Sequence, residues 1–315
     1  MTGGTGGFGA HTLELLAARS DTKIFLGARG EDRSVPQGVT VLPLDLSSLE
    51  SVRQFAAAVS VIAQSSPIGL MVLNAGIHGS RADERSAEGF GLAFAVNHLG
   101  HYLLLRLLLP LVADGGRIII TTSNMHDPPL KSIGPQFLDL EEWAHPSKNG
   151  SGDGIRSYTA TKLCNLMTAL YLARLCEVRE RNIQVIAFNP GLTAGSSGRD
   201  ASGIQKTAVT LLSRTVFPLI GLFRPEFRMN SAAHSGGKLA EIALGELSPP
   251  DGQVYVSLVG GKPTAPPPSA LAQDQQAQQT LWRESSSMVG LDDQLPIPAE
   301  RRTEPGLFQP LIGEE

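Results

Sequence analysis

Ser123, Tyr158 and Lys162 are the residues whose types and spacing point most directly to chemistry. Tyr158-Thr-Ala-Thr-Lys162 sets a phenol and an ammonium at i and i+4, on one face of a helix. An ammonium beside a phenol favours the phenolate, so such a pair can exchange a proton near neutral pH. Ser123 closes an apolar run, where its hydroxyl can orient a substrate oxygen. A second constellation opens the chain. Thr2-Gly3-Gly4-Thr5-Gly6-Gly7-Phe8-Gly9 places Gly3, Gly7 and Gly9 at the spacing GxxxGxG. Glycines there permit a tight turn, close approach of backbone to phosphate, and tight helix packing.

These residues need a scaffold, and the chain alternates apolar runs with helical patterns. Residues 23–29, 39–45, 70–76, 117–123, 183–191 and 253–261 read as strands, and their near-continuous apolarity fits a sheet covered on both faces. Helices are expected over 7–20, 47–63, 87–112, 157–181 and 231–245, the second opened by Ser47 and Glu50 in capping-box spacing. The alternation predicts an α/β fold with a doubly wound parallel sheet, Rossmann-like, in a single domain. A phosphate-cradling loop should follow a strand, yet Met1 alone precedes this one, so the first strand is expected to be truncated. The catalytic domain is expected over 1–262, with a long insertion at 194–234 covering the substrate. Residues 263–315 read as a Pro- and Gln-rich linker, a short helix near 270–288 and a tail.

At the end of the strand after the glycine loop, a carboxylate suits a ribose 2′-hydroxyl and an arginine suits a 2′-phosphate. The chain has Arg29 there, which favours NADP(H) over NAD(H), the alternative being a solvated surface arginine. Asp45 could accept from the adenine amine or cap the following helix.

Composition narrows the classes. The net charge of −4 and 18% charged residues leave no basic footprint for nucleic acid or an anionic membrane surface. Two cysteines give no disulfide framework, which points to a reducing compartment, and a cytoplasmic location is expected. Residues 93–112 are apolar but carry Asn97, His98, His101, Arg106 and Pro110, so they are read as a buried helix rather than a membrane span. His98 and His101 lack a third ligand nearby and are read as core or site-wall residues; no metal is expected. Cys164 and Cys176 are read as sharing one helix, Cys176 packing and Cys164 near the site.

With these motifs in order, the chain resembles the short-chain dehydrogenase/reductase superfamily. The match runs through TGGTGGFG, Asn74-Ala75-Gly76, Asn97, Ser123, YTATK and Asn189-Pro190-Gly191, over residues 1 to about 260. The resemblance implies a catalytic set of Asn97, Ser123, Tyr158 and Lys162, with the asparagine supporting a proton-relay water and the lysine also holding the nicotinamide ribose. It implies a cofactor site of Thr2, Gly3, Gly7, Phe8, Gly9, Arg29, Asp45, Leu46, Asn74, Ala75, Gly76, Tyr158, Lys162, Pro190, Gly191 and Thr193. NHLGHYLLL and TSNMH are similar to the retinol dehydrogenase and protochlorophyllide reductase group. YTATKLCNL, SGGKLAEIAL and LWRESSSMVGL are similar to protochlorophyllide reductases. Leu192 departs from them, standing where the light-dependent enzymes carry a cysteine.

Three functions follow as expectations. The most specific is NADPH-dependent reduction of a C=C bond in protochlorophyllide. The others are dark reduction or oxidation of retinoid-like or other lipophilic carbonyls and alcohols, and non-catalytic binding of NADP. The apolar residues Leu211, Leu212, Val216, Phe217, Leu219, Ile220, Leu222, Phe223 and Phe227 within the insertion predict a bulky, apolar small-molecule substrate. A homo-oligomer is compatible with this reading.

Overall fold

The computed structural model describes residues 1–30, 34–194 and 228–295. Parallel strands β1 (Ile24–Ala28) and β2 (Val39–Pro43) form one edge. Strands β3 (Ile68–Leu73), β4 (Val112–Thr121), β5 (Gln184–Asn189) and β6 (Tyr255–Val259) follow in parallel, and β7 (Lys262–Thr264) closes the order antiparallel. Between β1 and β3 lie Met1 and Thr2. Gly27 N–H donates to Met1 O at 3.0 Å, and Thr2 N–H to Val72 O at 2.9 Å. Those two residues therefore join the two sets of strands at the position where the sequence predicts a strand before the glycine loop.

Helices cover both faces. One face carries α1 (Gly7–Ala17) and, from late in the chain, Ala232–Leu244, packed around Leu13, Leu26, Ile119 and Phe188. The other carries α2 (Leu49–Ala63), α3 (Leu92–Leu111) and Ile155–Leu172 around Phe55, Leu103, Ile118 and Leu163. Short helices Leu140–Ala144 and Cys176–Glu180 complete the middle of the chain, so the helices in order are α4 (Leu140–Ala144), α5 (Ile155–Leu172), α6 (Cys176–Glu180) and α7 (Ala232–Leu244). This is the doubly wound arrangement the apolar strand pattern predicted. By length and composition α3 could cross a membrane, but 83% of the span is buried inside the protein.

Several local expectations need correction. The N-cap of α2 is Ser48, whose Oγ accepts from Ser51 N–H, while Ser47 instead bonds Asp45. The expected strand 253–261 ends sooner because Gly260 and Gly261 take φ 57° and 81°. Positive φ at both central residues is what a two-residue type I′ hairpin turn needs, and it sends β7 back along β6. The cysteines sit on different helices rather than one: Cys164 in α5 is buried, and Cys176 in α6 is exposed rather than packed. The insertion expected over 194–234 falls mostly outside the described residues.

After β7 the chain forms α8 (Ala270–Gln273) and α9 (Gln275–Met288), which pack on the domain. Trp282 is the anchor, with its ring 5.0 Å from both Tyr102 and Tyr171 and 5.0 Å from the Arg106 guanidinium. Arg106, buried on α3, donates to Tyr102 Oη (2.6 Å), Ser286 Oγ (2.8 Å) and the carbonyls of Asp292 (2.6 Å) and Gln294 (2.7 Å). A buried guanidinium without these acceptors would be costly, so the segment after α9 is held by what it supplies to Arg106. Trp282→Ala is expected to lower stability by about 3–5 kcal/mol in urea unfolding. A loss below about 1 kcal/mol would mean that α9 is peripheral to the core.

Candidate active site

The site lies at the carboxyl ends of the strands, where the crevice of an open α/β sheet takes its ligands. The glycine loop runs from Thr2 into α1. Gly3 has φ 69°, and a Cβ on Gly9 would come within 2.1 Å of Gly3 O, so neither position accepts a side chain without the loop moving. The α1 N-cap, Gly6, makes no side-chain capping bond, and no acidic residue lies in the first turn. An uncapped, positively polarised helix end after a tight glycine loop fits a pyrophosphate. Thr2 Oγ1 accepts from the N–H groups of Asn74 (2.9 Å) and Ala75 (3.1 Å), and Asn74 Nδ2 donates to Gly3 O at 3.2 Å. Gly76 follows directly in the same loop.

Arg29 follows the last residue of β1 and is exposed. Asp45 follows β2, and its Oδ1 accepts from both Ser47 N–H (2.9 Å) and Ser47 Oγ (2.7 Å), which makes it a local cap for the turn into α2. Leu46 buries its side chain in the core. At the end of β5, Gly191 N–H donates to Asn189 Oδ1 at 3.0 Å. Pro190 O accepts from Thr193 Oγ1, Asn230 Nδ2 and Ser235 Oγ, each at 3.1 Å, which fixes the Pro-Gly turn against α7.

Ser123 caps the short 3₁₀ turn after β4, its Oγ accepting from Met125 N–H at 3.2 Å and donating to Asn124 Oδ1 at 3.3 Å, and it lies close enough to Tyr158 to act on the phenol. Tyr158 and Lys162 rise from the first two turns of α5. The ammonium of Lys162 lies 5.5 Å from the Tyr158 ring centroid and donates to Thr121 O at 3.2 Å. Burial lowers the Lys162 pKa to about 8. The expected lowering of the tyrosine pKa by lysine is not what dominates here. Burial raises Tyr158 above its ordinary value, and the nearby Ser123 hydroxyl is what opposes that shift. The reason is geometric: Lys162 spends a hydrogen bond on Thr121 and presents its charge to the ring.

Asn97 is fully buried in a π-helical turn, Ala95–Leu99, within α3. Its Oδ1 accepts from Ile77 N–H (2.7 Å), and its Nδ2 donates to Ile77 O (2.8 Å) and Thr161 Oγ1 (3.1 Å). It thus clamps the segment after Asn74-Ala75-Gly76 onto α5. All four members of the expected catalytic set therefore meet in one place.

The family model for short chain dehydrogenase matches residues 1–133. Retinol dehydrogenase 13 of Homo sapiens is 30% identical over 309 residues, covering 93% of this chain and 84% of that one. The chain belongs to the short-chain dehydrogenase/reductase family. Protochlorophyllide reductase of Avena sativa is 29% identical over 327 residues, covering 92% of this chain and 99% of that protein. The crystal structure of a blue fluorescent protein from a metagenomic library, in complex with NADPH, superposes with a TM-score of 0.55 at 20% identity, covering 82% of this chain and 95% of that one.

Beyond the motif residues, this family member uses partners that the motifs did not flag. Thr121 Oγ1 donates to Asn74 Oδ1 at 2.9 Å, and Asn165 Nδ2 shares the Thr121 carbonyl with Lys162 at 3.1 Å. His78 stacks on the Tyr158 ring at a centroid distance of 5.2 Å. Thr161 and Asn165 flank Lys162 at helical spacing, the one signal that could have singled them out. Among the described residues no cluster of three or more His, Cys, Asp or Glu is placed to hold a metal ion.

His98 and His101 are buried on α3, and burial lowers their pKa values to about 3 and about 4 from an ordinary 6.5. Unfolding at pH 4–6.5 therefore takes up as many as about two protons at these sites, because the unfolded imidazoles titrate at their ordinary value while the folded ones stay neutral. Stability supplied by these residues is expected to fall as pH drops from 6.5 toward 4. Urea unfolding at several pH values checks this. A pH slope in that window unchanged by His98→Asn with His101→Asn would contradict it.

Proposed function

We propose that this oxidoreductase is an NADPH-dependent reductase of a bulky, apolar carbonyl compound. The observation that carries the reading is the Tyr158 phenol with the Lys162 ammonium 5.5 Å from its ring and the Ser123 hydroxyl beside it, because two hydroxyls next to an ammonium suit a carbonyl becoming an alcohol. NADPH, when bound, supplies the hydride. The glycine loop and α1 N-terminus would hold its pyrophosphate, Arg29 its 2′-phosphate, and Lys162 the ribose. Ser123 orients the substrate oxygen, and Tyr158 delivers the proton to it. Support for NADPH rather than NADH comes from Arg29 and from the NADPH named with the blue fluorescent protein. Support for an apolar substrate comes from the exposed Leu130, Phe137 and Ile155 around the segments that carry Ser123 and Tyr158.

A second reading is reduction of a tetrapyrrole C=C bond. It is favoured by the likeness to protochlorophyllide reductases over nearly their full length, and Leu192 weighs against it. The deciding experiment mixes the purified chain with NADPH and either long-chain or retinoid-like aldehydes in darkness, or protochlorophyllide in darkness and in light. Dark consumption of NADPH with an aldehyde is expected. Chlorin formation only in light would establish the second reading, and NADPH binding without turnover of any of these would favour a binding protein.

Two variants test the roles. Tyr158→Phe is expected to lower kcat by about 10²–10⁴-fold while leaving NADPH binding intact. Full turnover by this variant would overturn the proton-donor role. Arg29→Ala is expected to weaken NADPH binding by about 10- to 100-fold, and NADH binding far less. Equal losses for both cofactors would refute the 2′-phosphate assignment.

A further inference from the structure

His101 is buried on α3, one helical turn beyond Asn97, and none of the roles above employs it. Its Nε2 lies 2.9 Å from Thr2 Oγ1, 99 residues away, and its Nδ1 lies 3.1 Å from the carbonyl oxygen of Asn97. The ring therefore spans the first residue of the glycine loop and the asparagine of the catalytic set.

The hydrogen-bond inventory fixes which ring nitrogen carries the proton. A threonine hydroxyl has two acceptor sites and one hydrogen. Both acceptor sites of Thr2 are filled by the Asn74 and Ala75 N–H groups. Its hydrogen is left for His101 Nε2, which must then be the unprotonated nitrogen. In a neutral imidazole the proton sits on Nδ1, facing a carbonyl that can only accept. An imidazolium would direct a third N–H at the Thr2 oxygen and strand the threonine hydrogen. Burial and the nearby Lys162 charge both disfavour that charged form.

We propose that His101 is a positioning residue, held as the Nδ1–H tautomer, that ties the Thr2 hydroxyl to the Asn97 carbonyl and so sets the spacing between the cofactor loop and α3. A planar ring suits the task because it has no internal torsion between its two nitrogens. The same Thr2 oxygen holds the Asn74-Ala75 backbone, and the Asn97 side chain holds Ile77. The strut therefore closes a loop of contacts: Thr2, the segment Asn74–Ile77, Asn97, His101 and back to Thr2. Displacing any one member shifts the wall against which a cofactor would rest.

The tautomer is read directly by ¹⁵N–¹H NMR of the full chain labelled at histidine, with His101→Asn used to assign the signal. The proton is expected on Nδ1 of His101, and a proton on Nε2 would overturn the proposal. The second arm rests on the NADPH reading and titrates NADPH. His101→Phe is expected to weaken binding on the order of tenfold, as expected for a buried hydroxyl left without its acceptor. In a Thr2→Val background the same change should add little, because the strut is already broken. Fully additive losses would overturn the proposal. If the unaltered chain binds no NADPH, the cofactor reading fails, and the tautomer still decides whether the strut exists.

Discussion

Polar groups gathered at the carboxyl ends of parallel strands must be hydrogen-bonded once helices bury them, and here they satisfy one another. The Thr2 hydroxyl, the Asn74 side chain, the Thr121 carbonyl and hydroxyl, and the Asn97 amide are each bonded to a neighbouring element of the site. An unpaired member would cost about 1–3 kcal/mol, so the strand ends are held in register by the same contacts that shape the site. The catalytic constellation and the fold are therefore coupled. Tyr158 and Lys162 stand on a helix whose side chains also bond Thr121 and Asn97.

The fold was largely legible in the sequence because its strands are buried on both faces and read as continuous apolar runs. Ile118, Ile119 and Ile120 in β4 and Ile186, Ala187 and Phe188 in β5 show that burial directly. What escaped was set by details of a residue or two. The turn at Gly260–Gly261 depends on two positive φ angles, and a run ending in Val-Gly-Gly looks like a strand until those angles are known. The π-helical turn around Asn97 has no pattern of its own, since it differs from an α-helix only in hydrogen bonds that span one more residue. The helix expected near 270–288 forms, but its composition did not show that Leu281 and Trp282 bury it against the core.

Candidate site members could be named from the sequence, but their electrostatics could not. Spacing brought Tyr158 and Lys162 to one face, yet it could not show that Lys162 turns a hydrogen bond toward Thr121 or that burial raises the phenol. Asp45 illustrates the same limit: a carboxylate at a strand end suits either a ligand or a turn, and its Oδ1 bonds to Ser47 commit that oxygen to the turn. In the sequence His101 reads as a core or site-wall histidine. Its burial fits that description, but its two partners give it a place between the glycine loop and Asn97.

The central claim is that hydride from NADPH and a proton from the Tyr158 pair arrive on the two ends of one carbonyl. The most direct measurement incubates the chain with NADPH carrying deuterium at both C4 positions and a lipophilic aldehyde that it turns over. Mass spectrometry and NMR of the product then locate the label. One deuterium on the carbinol carbon, with ordinary solvent hydrogen on the oxygen, is the result this account requires. An alcohol whose carbinol carbon carries no deuterium would contradict it.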